Sequence, residues 1–267
     1  MNFNRLRAVV AKELLEVRKN RTLLMTIFLP PLLFVVLPLG VIAALGSAST
    51  HTQSSADLIA RLLEGMPELA GLGEGEIMQV VILRQFLLLF LLMPLLIPLS
   101  IAAYSIIGEK ETRSLEPLLA TPISTLELLL GKSIAAVLPA ILTTWLAYAL
   151  FFAGARFVIA SDRVYARLLD PTWLLAMLIV APLLSLLSVS LAVMISSRVN
   201  DARAAQQIGG MIVIPLVALG VGQTAGFVFL NAVTFLVGAL LIALIDVAVL
   251  YIGTQLFQRE TILTRWK

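Results

Sequence analysis

The chain has 267 residues, 60% hydrophobic and 13% charged, with a mean hydropathy of +1.02. Soluble domains lie nearer about 45–50% apolar and about 25% charged, so a water-soluble enzyme, a nucleic-acid-binding module and a disordered chain are excluded. The net charge of +3 sets 19 basic residues against 16 acidic ones, there is no cysteine, and His51 is the single histidine. Disulfides, thiolate metal sites and a histidine metal cluster therefore drop out as well.

Residues 1–22 open the chain. Phe3, Leu6, Val10, Leu14 and Val17 recur at helical spacing, while Arg5, Lys12, Glu16 and Lys19 fall on the other face. That pattern predicts an amphipathic helix lying in the headgroup layer. No charge then occurs between Arg21 and Asp57, which predicts a first span over 23–46. Its apolar region is longer than that of a secretory signal, so it is expected to stay uncleaved.

Residues 47–84 form an outer segment in which Asp57, Glu64, Glu68, Glu74 and Glu76 outnumber Arg61 and Arg84. A small helical cap is the plain expectation, with a paired-carboxylate cation site as the alternative. Gln85–Gly108, Ser133–Ala155 and Pro171–Ser197 are further uncharged runs, and Ala204–Ile245 is uncharged for 42 residues. The predicted spans are 85–108, 133–155, 173–197, 206–227 and 231–253, the last two joined by a hairpin or a re-entrant segment. The fold class is thus an all-α polytopic membrane protein with six transmembrane helices and an N-terminal interfacial amphipathic helix. It forms one domain over 1–267. Fourteen of the nineteen Lys and Arg residues lie on the side that holds both termini, which predicts cytoplasmic termini.

Eight prolines fall inside these spans: Pro30, Pro31, Pro38, Pro94, Pro98, Pro139, Pro182 and Pro215. They predict kinked or broken helices in a bundle that moves. Asp246 is the one acid deep in a span. It reads either as an intramembrane proton or cation site, paired with a residue of the loop around Arg198, or as a structural hydrogen bond. Ala218, Gly222 and Gly226 repeat every four residues, beside Gly209, Gly210 and Gly220. This stripe either packs within the chain or forms a contact with another membrane subunit.

The loop over 109–132 is the most informative segment. Leu115, Leu118 and Leu119 sit at helical spacing, Glu116-Pro117 begins a turn of helix, and Thr121-Pro122 stops it. Ser124 and Glu127 have capping-box spacing. A short helix projecting from a membrane bundle suits a groove in a soluble partner. Gly131-Lys132-Ser133 imitates the tail of a phosphate-binding loop. The required upstream glycine is missing, because Leu126 stands there, so no nucleotide site is assigned. No H-E-x-x-H or G-x-S-x-G occurs.

Here the chain resembles the membrane-domain (permease) family of ABC-2 type transporters. Glu109, Glu111, Ser114, Leu115, Glu116, Leu118, Leu119, Thr121, Pro122, Glu127, Gly131 and Lys132 match its E-x-E-x-G-[ST]-L-E, L-L-x-T-P and G-K elements. Arg113 departs from the usual glycine. Softer matches are Lys12-Glu13-Leu14 with Arg18 and Arg21, and Ser196-Ser197-Arg198 with Asp201, Arg203 and Ala205-Gln206-Gln207. The resemblance implies an ATP-driven exporter subunit with no catalytic residues of its own. Its implied partners are two cytoplasmic ABC ATPases, which hold the ATP and Mg, and a second permease, identical or homologous, in the lipid of a bacterial-type plasma membrane. It also implies ATPase coupling through Glu109, Lys110, Glu111, Ser114, Leu115, Glu116, Leu118, Leu119, Thr121 and Pro122. The dimer contact is assigned to Ala218, Gly222 and Gly226. The competing reading is an intramembrane enzyme or an assembly scaffold. The near absence of convergent polar catalytic residues in the spans, where Asp246 is solitary, speaks against an enzyme, and the cytoplasmic helix against a scaffold.

Overall fold

The computed structural model describes residues 2–46, 63, 66, 69–112, 124–225, 227–228 and 230–256. Its elements in chain order are α1 (Phe3–Lys19), α2 (Arg21–Gly46), α3 (Glu74–Phe90), α4 (Met93–Glu111), α5 (Thr125–Val158), α6 (Asp162–Leu168) and α7 (Pro171–Leu175). A π-helical turn (Ala176–Val180) follows, then α8 (Ala181–Arg198), α9 (Ala202–Gly210), α10 (Val213–Thr224) and α11 (Ala232–Leu256). No strand occurs among the described residues. Six stretches are long and apolar enough to cross a bilayer: Arg21–Ala44, Glu74–Glu111, Glu127–Val158, Asp162–Arg198, Ala202–Gln223 and Ala232–Tyr251.

The second of these reaches further out than the uncharged run implies. Helix α3 begins at Glu74, where the Glu76 side chain accepts the backbone N–H of Gly73 at 3.0 Å. The charge that ends the uncharged run, Arg84, is 5% exposed inside this helix. It reaches Asp170 at 3.5 Å and the sulfur of Met66. A paired arginine is carried within a packed helix and need not mark its end. Glu76 also accepts the Ser161 hydroxyl, and no cluster of metal-ligating side chains occurs among the described residues.

Helix α4 is the most enclosed element. Pro94, Ile97, Leu99, Ile101, Ala102, Ala103, Ile106 and Ile107 are all buried, and the helix packs against α5, α8 and α9. Close approach to it depends on a missing side chain, since a Cβ on Gly209 would collide with Leu99; in the same way Gly154 of α5 leaves room for Leu39 of α2. By contrast, α2, α10 and α11 expose Leu29, Leu32, Val36, Ile214, Val217, Leu240, Leu241 and Leu244. Apolar faces of that extent belong in lipid or against another membrane subunit.

The prolines lie inside or at the start of these helices as expected. The break before Pro182 is a π turn, and the Trp145 indole N–H donates to the carbonyl of Met177 within it at 2.9 Å. That is how a bundle satisfies a backbone acceptor freed by a kink.

Helix α1 is amphipathic, with a different inward face from the one the apolar pattern marks. The buried residues are Leu6, Val9, Glu13 and Val17, whereas Phe3 and Leu15 are exposed. Phe3 points away because its face meets no neighbouring helix; an acid takes the centre of the packed face instead. Asn20 ends α1 and starts α2, its side-chain oxygen accepting from the N–H groups of Thr22 and Leu23. Helix α1 crosses α5 at Gly131, where a Cβ would stand 2.6 Å from Val9. Gly131→Ala is therefore expected to cost about 1–3 kcal/mol through overpacking, read as a lower melting temperature in detergent, and Val9→Ala should recover most of the loss.

Candidate functional site

The residues that end the loop over 109–132 converge on α1. Helix α4 brings Ser105 and Glu109, one turn apart, to the packed face of α1, and α5 brings Lys132 from its second turn. The Lys132 Nζ lies 2.8 Å from Glu13 Oε1 and 2.8 Å from Glu109 Oε2. It also donates to the Ser105 hydroxyl at 2.6 Å, and that hydroxyl donates to Glu13 Oε2 at 2.6 Å. Lys12 closes the far side, donating to Glu109 Oε1 at 2.7 Å.

Glu13, Glu109 and Lys132 are 3%, 4% and 5% exposed. Two carboxylates and two ammonium groups balance, which is the condition for holding charges out of water. Burial works against the charge on Glu13, yet Lys132 and the Ser105 hydroxyl prevail and hold its carboxyl below the usual carboxylate range. For Lys12 burial also opposes the charge, but Glu109 outweighs it and pushes the ammonium above its ordinary value. A cavity of 280 Å³ borders the node between α1, α2 and α4, with Glu13, Glu16, Asn20, Tyr104, Ser105 and Glu109 among its lining residues.

A second tie joins the same elements. Ser124 and Glu127 form the capping box that the sequence predicts, with the Ser124 Oγ accepting from the Glu127 N–H at 3.2 Å. The Glu127 carboxylate also accepts the backbone N–H of Asn2 at 2.6 Å. Both flanks of the loop are thus fastened to α1, Glu109 through Lys12 and Lys132, and the start of α5 through Asn2 and Glu13.

Of the coupling residues read from the sequence, Glu109 faces inward into this node, while Glu111 is exposed. Lys110 turns to α8, donating to the backbone carbonyls of Ser196, Ser197 and Val199 at its C-terminal end, a favourable place for a cation. Ser114, Leu115, Glu116, Leu118, Leu119, Thr121 and Pro122 lie outside the described residues, as does Gly226. Within the small-residue stripe, Gly220 packs against Gln85 and Leu88 of the same chain, and Gly222 against Val228. Ala218 is exposed. Asp246 is 5% exposed and neither carboxylate oxygen has a hydrogen-bond partner among the described residues.

Sequence reasoning did not single out Glu13 and Lys132 as a pair. The available signal was a charged residue, Glu13, between Val9 and Val17 on one helical face, and a lysine opening an apolar span. Lys132→Met leaves Glu13 and Glu109 facing each other and is expected to cost about 3–5 kcal/mol. Thermal unfolding measures it, and adding Glu13→Gln should return part of it. The depressed Glu13 carboxyl contributes stability above its unfolded value of about 4.3. That contribution is lost as pH falls below this value and through the lower folded one. The raised Lys12 acts in reverse: its contribution is complete below an unfolded value of about 10.4 and is lost as pH rises through the folded one. Protease cleavage in α1 is therefore expected to stay slow at neutral pH and to accelerate in acid, below about pH 4.

A family described as ABC-2 family transporter protein covers residues 7–236, while no curated protein matches the chain. The matched region takes in the node, the loop it anchors and five complete spans. This chain belongs to the ABC-2 family of transporter proteins and is a multi-pass membrane component of such a transporter, a transport subunit in place of an enzyme.

Proposed function

We propose that the chain is a permease subunit of an ABC exporter in a bacterial-type plasma membrane, with both termini cytoplasmic. It pairs with a second permease and is driven by two ATPase subunits that hold the ATP and Mg. The observation that carries this reading is the fastening of both flanks of the loop to α1 by buried charges. Movement of the loop by an ATPase would not bend a free hairpin. It would shift α1, α4 and α5 together, because separating them uncovers charges that only the node compensates. Helix α4 would carry the displacement into α8 and α9, against which it packs. A change at the loop then becomes a rearrangement of the translocation path, a rigid-body transition between two packed states.

Residues 115–119, which the sequence reads as a short helix, are the docking element. Glu111, exposed at its edge, meets the ATPase, and Glu109 transmits. Glu111→Lys is expected to leave insertion and the melting temperature unchanged and to lower transport about tenfold, the scale of a coupling term of 1–2 kcal/mol. ATP hydrolysis by the assembled complex should continue. Normal transport by that variant would remove Glu111 from the docking role. The second permease is proposed to meet the exposed apolar face of α10 at Ala218; Gly222, which also meets Val228 of its own chain, and Gly226 follow at four-residue spacing in the sequence. A cysteine at position 218 should crosslink two permeases in membranes, and recovery of monomer alone would count against this face.

A further inference from the structure

Asp246 is a buried acid that the node and the loop do not use. Helix α11 is exposed along most of its length, but Phe235, Ala239 and Asp246 form a buried stripe at spacings of four and seven. That stripe faces α8, the π turn and α7, the elements against which α11 packs most. The edge-on contact of Trp173 with Phe235, centroids 5.4 Å apart, sets the register at the start of both helices. Asp246 then stands about 16 Å further along, in the stretch of α8 that carries Ser185 and Ser188.

Among the described residues, the elements packed against this stripe offer an anion no partner. Between Pro171 and Ser197 there is no Asp, Glu, Lys, Arg, His or Tyr. Arg198 ends α8 and Asp170 caps α7, each far from this level, and Tyr251 is the only other titratable group in the described part of α11. The Ser185 and Ser188 hydroxyls spend their protons on the carbonyls of Ala181 and Leu95. Both carboxylate oxygens are sealed from solvent without a hydrogen bond among the described residues. An unpaired carboxylate in such a place costs far more than a neutral acid. A metal cation does not fit either, since a hard cation takes about six or more oxygen ligands and no group of three ligating side chains occurs among the described residues.

We propose that Asp246 is a proton-binding site inside the bilayer, its carboxyl held as the neutral acid in the seam between α8 and α11. The proton leaves only when the seam opens and water reaches the carboxyl, so the site links proton release to separation of the fourth and sixth spans. This holds whichever way cargo moves and does not rest on the ATPase reading.

Infrared difference spectra between the wild-type protein and Asp246→Asn, both in lipid vesicles at neutral pH, test it. The wild type should show a protonated-carboxyl carbonyl band that the variant lacks. The variant should also melt with the wild type, because the amide is isosteric with the acid. Carboxylate bands from Asp246 at neutral pH would overturn the proposal. So would an Asn variant that fails to fold, since a neutral acid tolerates its neutral isostere.

Discussion

A single ammonium group, Lys132, is held between two carboxylates in a place with almost no water. The arrangement at this end of the bundle follows from that requirement. A buried lysine needs compensating charge from more than one direction, and the chain supplies it from α1 and α4. Glycine at position 131 lets α1 come close enough for Glu13 to reach. Asn20 turns the chain so that α1 can lie across α5 while α2 rises beside it. The net stabilisation from such a node is modest, because desolvation offsets most of the attraction. Its consequence is specificity: α1, α4 and α5 have one relative placement in which all the charges are paired.

That placement gives the bundle two mechanical parts. Helices α4, α5 and α8 form a tightly packed interior around Ile97, Ile101, Phe151 and Ala181. The outer helices α2, α10 and α11 present apolar faces away from it. At the break before Pro182 the backbone acceptor of Met177 finds a partner in the Trp145 indole. A bundle built this way moves by shifting packed helices against one another, since densely packed interiors resist continuous deformation.

Much of this was legible in the residues. Uncharged runs between basic clusters located six spans, because the cost of burying charge in hydrocarbon is large enough to punctuate a sequence. The capping box at Ser124 and Glu127 was legible because it is a local rule with fixed spacing. The inward face of α1 was not. Apolar periodicity favoured Phe3, Val10 and Leu14, whereas packing against α5 selected Val9 and Glu13; a charge is read as solvated unless its partner is known, and that partner lies 119 positions away. Arg84 misled for the same reason, since Asp170 compensates it across 86 positions. Glu109 read as a surface docking residue, but its local sequence carries no sign of Lys12. Gly131-Lys132, read from the sequence only as the family's G-K element and a chance likeness to a phosphate loop, is accounted for physically by the helix crossing and the node.

If the node holds through the proposed transport cycle, α1 and the start of α5 travel as one body. Spin labels at Leu15 and Leu130, both exposed, would report the distance between these helices in the assembled transporter. Pulsed electron resonance with and without bound ATP is the direct measurement. One narrow distance distribution that does not change with nucleotide is expected. A distribution that broadens or shifts outward on ATP binding would show that α1 leaves α5 during the cycle, and would contradict this joint movement.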